Sequence, residues 1–541
     1  MPTMVLTTFL GGSAMTDETL PRARQQAIYR VAALVAVAIF LLFCRLFYWQ
    51  IVRGPALGQE AARQWLAQLP TDVPRGRILD AHLTPLTDPR QQRAVVALPS
   101  LVRDRAGTAD ALSRLTGVSR DTISARLASD APAVRLVSGL TAEAAAKVEA
   151  AHLTGILVMT ERVRYGPNAL APHVIGYVNY ANRGVCGIEQ QFDAELRGGQ
   201  EGMADVVLTI DAGIQRVVED AVRASLRKGA VVVLDAATGD VLAMASAPSF
   251  SQRQPEDALQ ASDSPFINRA LGGLGYPPGS TFKLVTAAAA LERGLVAPDE
   301  TFECKGSIKV GALTFRCHAY ERGGHGALTM REAIAQSCNV AFIEIAQRVG
   351  PQALLEMASR LGLGRPTGIG TPGECVGNLP KAAGLSAGDL ANLALGQGQV
   401  LATPLQIAHM MNIIANGGID PGVRLVRELR DGNGLVRRRF PQAEPKRVLD
   451  AAVAAELQAA LAAATDHGTA SPALVPGFGS AGKTGSAETT IGGRDAIDAW
   501  FVGYAPRLSP KYVICVLAEE GISGGQSAAP VFKEIMLKIL K

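Results

Sequence analysis

Tyr276-Pro-Pro-Gly-Ser-Thr-Phe-Lys283, running on into Leu-Val-Thr-Ala-Ala-Ala-Ala290, reads as a stiff loop that tips straight into an apolar helix. Pro277 and Pro278 cannot continue a preceding helix, Gly279 permits a close approach, and Ser280 falls at the helix N-terminus. Lys283 follows three residues on, one turn away on the same face, so its amine can lie beside the Ser280 hydroxyl. A serine is a poor nucleophile until a base takes its proton, and a partly desolvated lysine can be that base. The helix N-terminus adds N–H donors and partial positive charge where an oxyanion would develop.

One S-x-x-K proves little, because roughly one or two arise by chance in a chain this long. Ser225-Leu-Arg-Lys228 also fits the pattern. It closes an amphipathic stretch before a Gly-led strand and has no proline-glycine entry, so it reads as a solvated helix end. The first pair needs support from elsewhere.

The 541 residues predict two to four domains. A formal charge of +4, thinly dispersed, gives no case for nucleic acid. There is no C-x-x-C, and no cofactor is expected. Ala27 to Val52 is apolar, charge-free from Val31 to Cys44, and flanked by Phe47-Tyr48-Trp49. That is long enough to cross a bilayer, and no small-residue cleavage site follows it. Arg22, Arg24 and Arg30 precede it, which places the N-terminus in the cytoplasm and the chain beyond Arg53 outside. The expected organisation is a cytoplasmic tail (1–27), an anchor (28–52), a pedestal (53–205) and a larger domain (206–541).

Within the pedestal, short helical patterns at Asp110–Leu127 and Thr141–Ala151 alternate with strand-like segments, an α+β texture. In the larger domain Asp211 caps a helix, and Gly229–Asp235 with Val241–Ala245 makes a hairpin. Long helices are expected at Thr329–Val349, 387–396, 404–415 and 450–464, and strands at Gly479–Thr489, Trp500–Tyr504 and Tyr512–Glu519. Strands at both ends with helices between predict one antiparallel sheet covered by helices. Asp211, Asp235 and Asp498 read as caps and strand ends. Cys304 and Cys317 bracket a hairpin and could pair; Cys317 with Cys338, or isolated thiols, are the other readings. His318 and His325 fit no compact zinc spacing with these cysteines, so no metal is expected.

Two further motifs support the opening stretch. Ser337-Cys338-Asn339 is the one S-x-N in the chain, and its hydroxyl and amide can face a shared cleft if the backbone is irregular there. Gly482-Lys-Thr-Gly-Ser-Ala-Glu488 holds the one K-T-G, for which chance gives on the order of 0.1 occurrences. In a strand Lys483 and Gly485 share a face, and the missing Gly485 side chain would let a substrate backbone lie along the edge. Lys483 and nearby hydroxyls suit a carboxylate.

S-x-x-K, S-x-N and K-T-G in this order are the signature of penicillin-binding proteins and class A β-lactamases. Past the anchor the chain resembles a class B penicillin-binding protein through PRGRILD (74–80), RYGPNALAPHVIGYV (164–178), GIEQQFD (187–193), LTIDAGIQ (208–215), DAATGDVLAMASAPSF (235–250), GGHGALTMREAIAQSCN (323–339), LALGQGQVLATPLQIA (393–408) and DAWFVGYAP (498–506). The resemblance implies an α+β chain with one transmembrane helix, a dimerisation-like pedestal and a penicilloyl-serine transferase domain. It implies a peptidoglycan D,D-transpeptidase in which Ser280 attacks the penultimate D-Ala of a stem peptide, releasing D-Ala, and in which β-lactams acylate the same serine. Lys283 would be the base, Ser337 a proton relay and Asn339 a peptide-binding amide. Lys483 and Thr484 would hold the terminal carboxylate beside Gly485, and the N–H groups of Ser280 and Ser486 would form the oxyanion hole. The implied partners are the membrane and a SEDS-family glycosyltransferase. Ser486 stands where the family often has Thr, and AHLTPLTD follows Asp80 where it usually has an Arg-Asn-Gly turn. A D,D-carboxypeptidase or β-lactamase, in which water resolves the acyl-enzyme, is the second enzymatic reading. A β-lactam-sensing receptor is a third, and the short cytoplasmic tail leaves little room for its effector.

Overall fold

An apolar helix, α1 (Arg22–Phe47), leads the chain and continues through a π-helical turn at Tyr48–Val52. An 18-residue window within its Gln26–Val52 stretch has a mean hydropathy of 2.5, and among the described residues nothing packs over that window. It is long and apolar enough to cross a membrane. The computed structural model describes residues 22–53, 74–87, 91–179, 182–199 and 202–541, so most of the expected cytoplasmic tail lies outside the described residues.

The pedestal begins with β1 (Ile78–Leu79) and β2 (Gln91–Ala97), followed by α2 (Arg105–Thr116), α3 (Arg120–Leu127), β3 (Val134–Leu140), α4 (Ala142–Ala150) and β4 (Ile156–Arg162). β2 lies between β3 and β4 in an antiparallel sheet, and Val95, Leu112, Ile123, Leu127, Leu136 and Val148 form its core. The single helix expected over Asp110–Leu127 is two. Gly117 turns left-handed (φ 75°), and the Ser119 side chain recaps the chain by accepting from Thr122 N–H. After Asp80 the chain makes a turn of its own, with Asp80 Oδ1 accepting from the N–H groups of His82 and Thr84. Buried Glu189 ties PRGRILD to GIEQQFD: its carboxylate receives Arg75 at 2.7 Å, Arg164 at 2.6 Å and the Tyr165 hydroxyl at 3.0 Å.

β5 (Ala204–Leu208) pairs parallel with β1, so one sheet runs from the pedestal into the larger domain, and the expected boundary at 205/206 falls inside this strand. α5 (Ala212–Ser225) follows, with the Asp211 side chain accepting from Ile214 N–H, and then the hairpin β6 (Gly229–Asp235) and β7 (Val241–Ala247). A 3₁₀ turn at Gly279–Phe282 leads into α6 (Lys283–Glu292). Next come four short strands, β8 (Thr301–Cys304), β9 (Ser307–Val310), β10 (Leu313–Arg316) and β11 (Gly326–Thr329), paired as β9–β10 and β8–β11. The middle of the chain is helical: α7 (Met330–Ala335), α8 (Asn339–Val349), α9 (Pro351–Arg360), α10 (Ala387–Ala394) and α11 (Pro404–Ala415). β12 (Val426–Asp431) and β13 (Val436–Arg439) extend the β5 sheet. α12 (Ala451–His467) precedes β14 (Ala481–Ile491), β15 (Arg494–Ala505), β16 (Tyr512–Ala518) and α13 (Ala529–Ile539).

The last three strands join the first hairpin in the order β14-β15-β16-β6-β7, antiparallel at every step. This is the sheet expected from strands at the two ends of the domain. Both of its faces are covered. Val232, Leu234, Trp500 and Val502 belong to the same core as α11, whose twelve residues are all buried. Val231, Val233, Phe501 and Ile514 face the other way, into a core with α5 and α13. Each fully buried aliphatic side chain contributes about 1.5–3 kcal/mol, which holds the sheet rigid between its helical layers.

Two expectations are corrected. The long helix over Thr329–Val349 is broken between α7 and α8, where Ser337 takes a left-handed backbone (φ 56°). β15 begins six residues before Trp500, so Asp498 lies inside the strand, buried and opposite Ala487, instead of at a strand end.

Candidate active site

Ser280 sits in the 3₁₀ turn ahead of α6 and is half-buried, whereas Thr281, Phe282 and Lys283 after it are fully buried. A 3₁₀ turn has three residues per turn, so Ser280 and Lys283 are eclipsed on one side of it. The prolines hold this turn by their carbonyls: Pro277 O accepts from Trp500 Nε1 at 3.0 Å, and Pro278 O accepts from Thr281 Oγ1 at 2.7 Å. Tyr276 pairs with Ala402 in both directions, and Gly279 N–H donates to Gly396 O at 2.9 Å.

Lys283 Nζ donates to Ser337 O at 2.7 Å, to Ser337 Oγ at 3.2 Å and to Asn339 Oδ1 at 2.7 Å. The break between α7 and α8 makes this possible, because the left-handed turn at Ser337 brings a carbonyl, a hydroxyl and an amide onto one amine. Asn339 is held in turn, its Nδ2 donating to Arg316 O at 2.9 Å. No carboxylate pairs with Lys283 among the described residues. Burial lowers its pKa to about 8, against a smaller upward pull from Cys317 and Cys338.

Lys483 is also fully buried, on β14, the edge strand of the five-stranded sheet, and donates to Thr484 O at 3.1 Å. Burial first, and the charge of Lys283 second, hold its amine well below the ordinary lysine range. Two amines share one dry site, so a bound anion would be strongly favoured there. Thr484 Oγ1 lies 2.8 Å from Thr469 Oγ1, and exposed Ser486 accepts from Gly524 N–H at 3.2 Å. Gly485 serves a different purpose from the one its sequence suggests. A Cβ there would lie 3.0 Å from Pro278 O, 3.0 Å from Trp500 Cβ and 3.1 Å from Thr281 Cγ2. Its missing side chain makes room for the serine turn, not for a substrate on the open edge. S-x-x-K, S-x-N and K-T-G thus come from three distant parts of the chain to lie side by side. Ser225, the other S-x-x-K serine, is exposed at the end of α5, and Lys228 pairs with Glu520 at 3.3 Å.

Several supporting residues escaped the motif reading. Trp500, Gly396 and Thr469 clamp the serine turn and β14, and Glu519 accepts from the Tyr276 hydroxyl and from Arg269 Nε, each at 2.8 Å. They carry no motif of their own. Only the quoted phrases around 393–408 and 498–506 marked two of them.

A family model described as the penicillin binding protein transpeptidase domain matches residues 229–537, and one described as the penicillin-binding protein dimerisation domain matches residues 70–233. The chain is 30% identical to the penicillin-binding protein PbpB of Mycolicibacterium smegmatis, over 96% of this chain and 90% of that one. It is similar to the crystal structure of the D,D-transpeptidase domain of a peptidoglycan glycosyltransferase from Eggerthella lenta (TM-score 0.64, 31% identity, 71% of this chain and 93% of that one). It is also similar to that of penicillin binding protein 3 from Mycobacterium tuberculosis complexed with ampicillin (TM-score 0.65, 28% identity, 86% of this chain and 94% of that one). With a dimerisation domain joined to a transpeptidase domain, and the S-x-x-K, S-x-N and K-T-G elements brought side by side, this chain belongs to the class B penicillin-binding proteins.

Proposed function

We propose that this protein is a serine-type peptidoglycan D,D-transpeptidase that cross-links stem peptides through an acyl-Ser280 intermediate and is acylated at the same residue by β-lactams. One observation carries the assignment of residues: a fully buried lysine with no carboxylate partner among the described residues, hydrogen-bonded to the S-x-N turn, one 3₁₀ turn after an accessible serine. A lysine whose pKa lies near 8 is neutral often enough at neutral pH to accept a proton.

In the first half-reaction Ser280 Oγ attacks the carbonyl carbon of the penultimate D-Ala and its proton passes to Lys283 Nζ. The oxyanion is held by the N–H groups of Ser280 and Ser486, while Lys483 and Thr484 hold the terminal carboxylate beside Gly485. The C–N bond breaks, the leaving amine takes a proton relayed through Ser337, and D-Ala departs. In the second half-reaction the amine of a neighbouring stem, lying against Asn339, attacks the ester carbonyl. It yields its proton to the same relay, and the C–O bond to Ser280 breaks to give the cross-link.

The remaining parts of the proposal concern the chain's setting. α1 anchors it in the cytoplasmic membrane with the N-terminus inside, residues 53–205 serve as pedestal and 206–541 as catalytic domain. The uncovered anchor and the pedestal are the surfaces for a SEDS-family glycosyltransferase. The reaction is tested with the full-length protein in detergent, given glycan strands that carry pentapeptide stems. D-Ala release matched by cross-linked dimers is expected. Release with tetrapeptide monomers alone would replace transpeptidation with a carboxypeptidase.

A further inference from the structure

Behind the S-x-N turn, four side chains that are well separated in sequence meet. Cys304 ends β8, Cys317 follows β10, His325 precedes β11 and Cys338 is the N-cap residue of α8. One ligand atom of each lies within 4.8 Å of the other three. The three cysteines are buried and His325 is half-buried. All seven cysteines of the chain are free thiols, so no disulfide occupies the cluster.

The donor set and its surroundings select an ion. Three sulfurs and one imidazole, with no carboxylate among them, exclude hard cations such as magnesium or calcium and suit zinc. Tetrahedral zinc with sulfur bonds of about 2.3 Å separates its ligands by roughly 3.8 Å, so the cluster closes on an ion by moving less than about 1 Å. Backbone geometry already favours a thiolate: Asn339 N–H donates to Cys317 Sγ at 3.4 Å, and Ala319 N–H also reaches this sulfur. His325 Nδ1 stands 3.5 Å from Cys317 Sγ, and its Nε2 is buried with no partner among the described residues. Backbone N–H···S bonds of this kind are what a metal-thiolate site needs around it.

We propose that Cys304, Cys317, His325 and Cys338 bind one zinc ion in a closed tetrahedral Cys₃His site that fastens the β8–β11 and β9–β10 pairs to the turn carrying Ser337 and Asn339. Two-stranded pairs of four-residue strands are marginal by themselves, and a metal joining four segments supplies what their small core lacks. Cys338 is the middle residue of S-x-N, so its bond to zinc fixes the left-handed turn from which Ser337 and Asn339 reach Lys283. The sequence hides this site because C-x₁₂-C-x₇-H-x₁₂-C has none of the close ligand pairs by which zinc motifs are recognised.

The test uses full-length protein purified in detergent without chelator. About one zinc per chain is expected, with an X-ray absorption spectrum fitted by three sulfurs at about 2.3 Å and one nitrogen at about 2.0 Å. Stripping the metal should expose three further thiols to alkylation under native conditions, and added zinc should protect them again. His325→Cys should retain the ion with four sulfurs, Cys304→Ser should lower occupancy several-fold, and His318→Ala should leave it unchanged. Protein that carries no zinc and takes up none after reduction overturns the site. A mass lower by the two hydrogens of a Cys317–Cys338 disulfide in zinc-free native protein overturns it equally.

Discussion

Asp498 is a carboxyl group in an apolar strand, with Oδ1 buried and without a partner among the described residues. Burial, then the charges of Glu519 and Glu520, raises its pKa to about 7; Tyr276 and the Arg269–Glu519 pair complete its surroundings. Its folded pKa stands above the unfolded value of about 3.9, so its contribution to stability is complete below pH 4 and is lost as pH rises through 7. Asp498→Asn should therefore stabilise the protein at pH 8 by on the order of 2–4 kcal/mol and change little at pH 4. Thermal melts at the two pH values measure this, and parallel pH dependences in variant and wild type would contradict it. The sequence showed this aspartate but not its setting, because the start of a strand cannot be told from its interior when the flanking residues, Ile497 and Ala499, are equally apolar.

At the scale of elements, the serine turn is held from behind by the loop after α10. A Cβ on Gly396, whose φ is 71°, would lie 2.0 Å from Gly279 O. Gly396→Ala should cost about 2–4 kcal/mol and slow acylation by penicillin more than tenfold, because backbone must move against backbone directly under Ser280. An unchanged acylation rate would show that the turn is set by β14 alone. Elements with strong periodicity were legible: the β6–β7 hairpin, β14, β16, α10, α11 and α12 stand where their patterns put them, within a few residues, whereas β15 starts six residues early. The break between α7 and α8 was not, since Ala333 to Ala341 is helix-compatible residue by residue and only the pull of Lys283 and the hairpin at Arg316 opens it. Gly485 was legible as a strand glycine but not in its packing, which depends on Pro278 arriving from two hundred residues away.

At the scale of the whole molecule, an uncovered apolar helix leads a body whose strands bind pedestal to catalytic domain through β1, β5 and β12. The proposed orientation predicts that protease added to intact spheroplasts degrades the body and leaves a tag before residue 22 intact; a degraded tag beside an intact body would reverse it. The antiparallel sheet could be foreseen from strand order alone, whereas the β1–β5 junction could not, since two-residue strands carry no pattern. The central claim is that three distant motifs make Ser280, and not Ser225, the acylated nucleophile. Labelling the full-length chain with a fluorescent penicillin tests it most directly, with wild type, Ser280→Ala and Ser225→Ala compared at equal folded protein. Loss of the adduct in Ser280→Ala with full labelling of Ser225→Ala is the predicted result; a persistent adduct in Ser280→Ala would contradict the account.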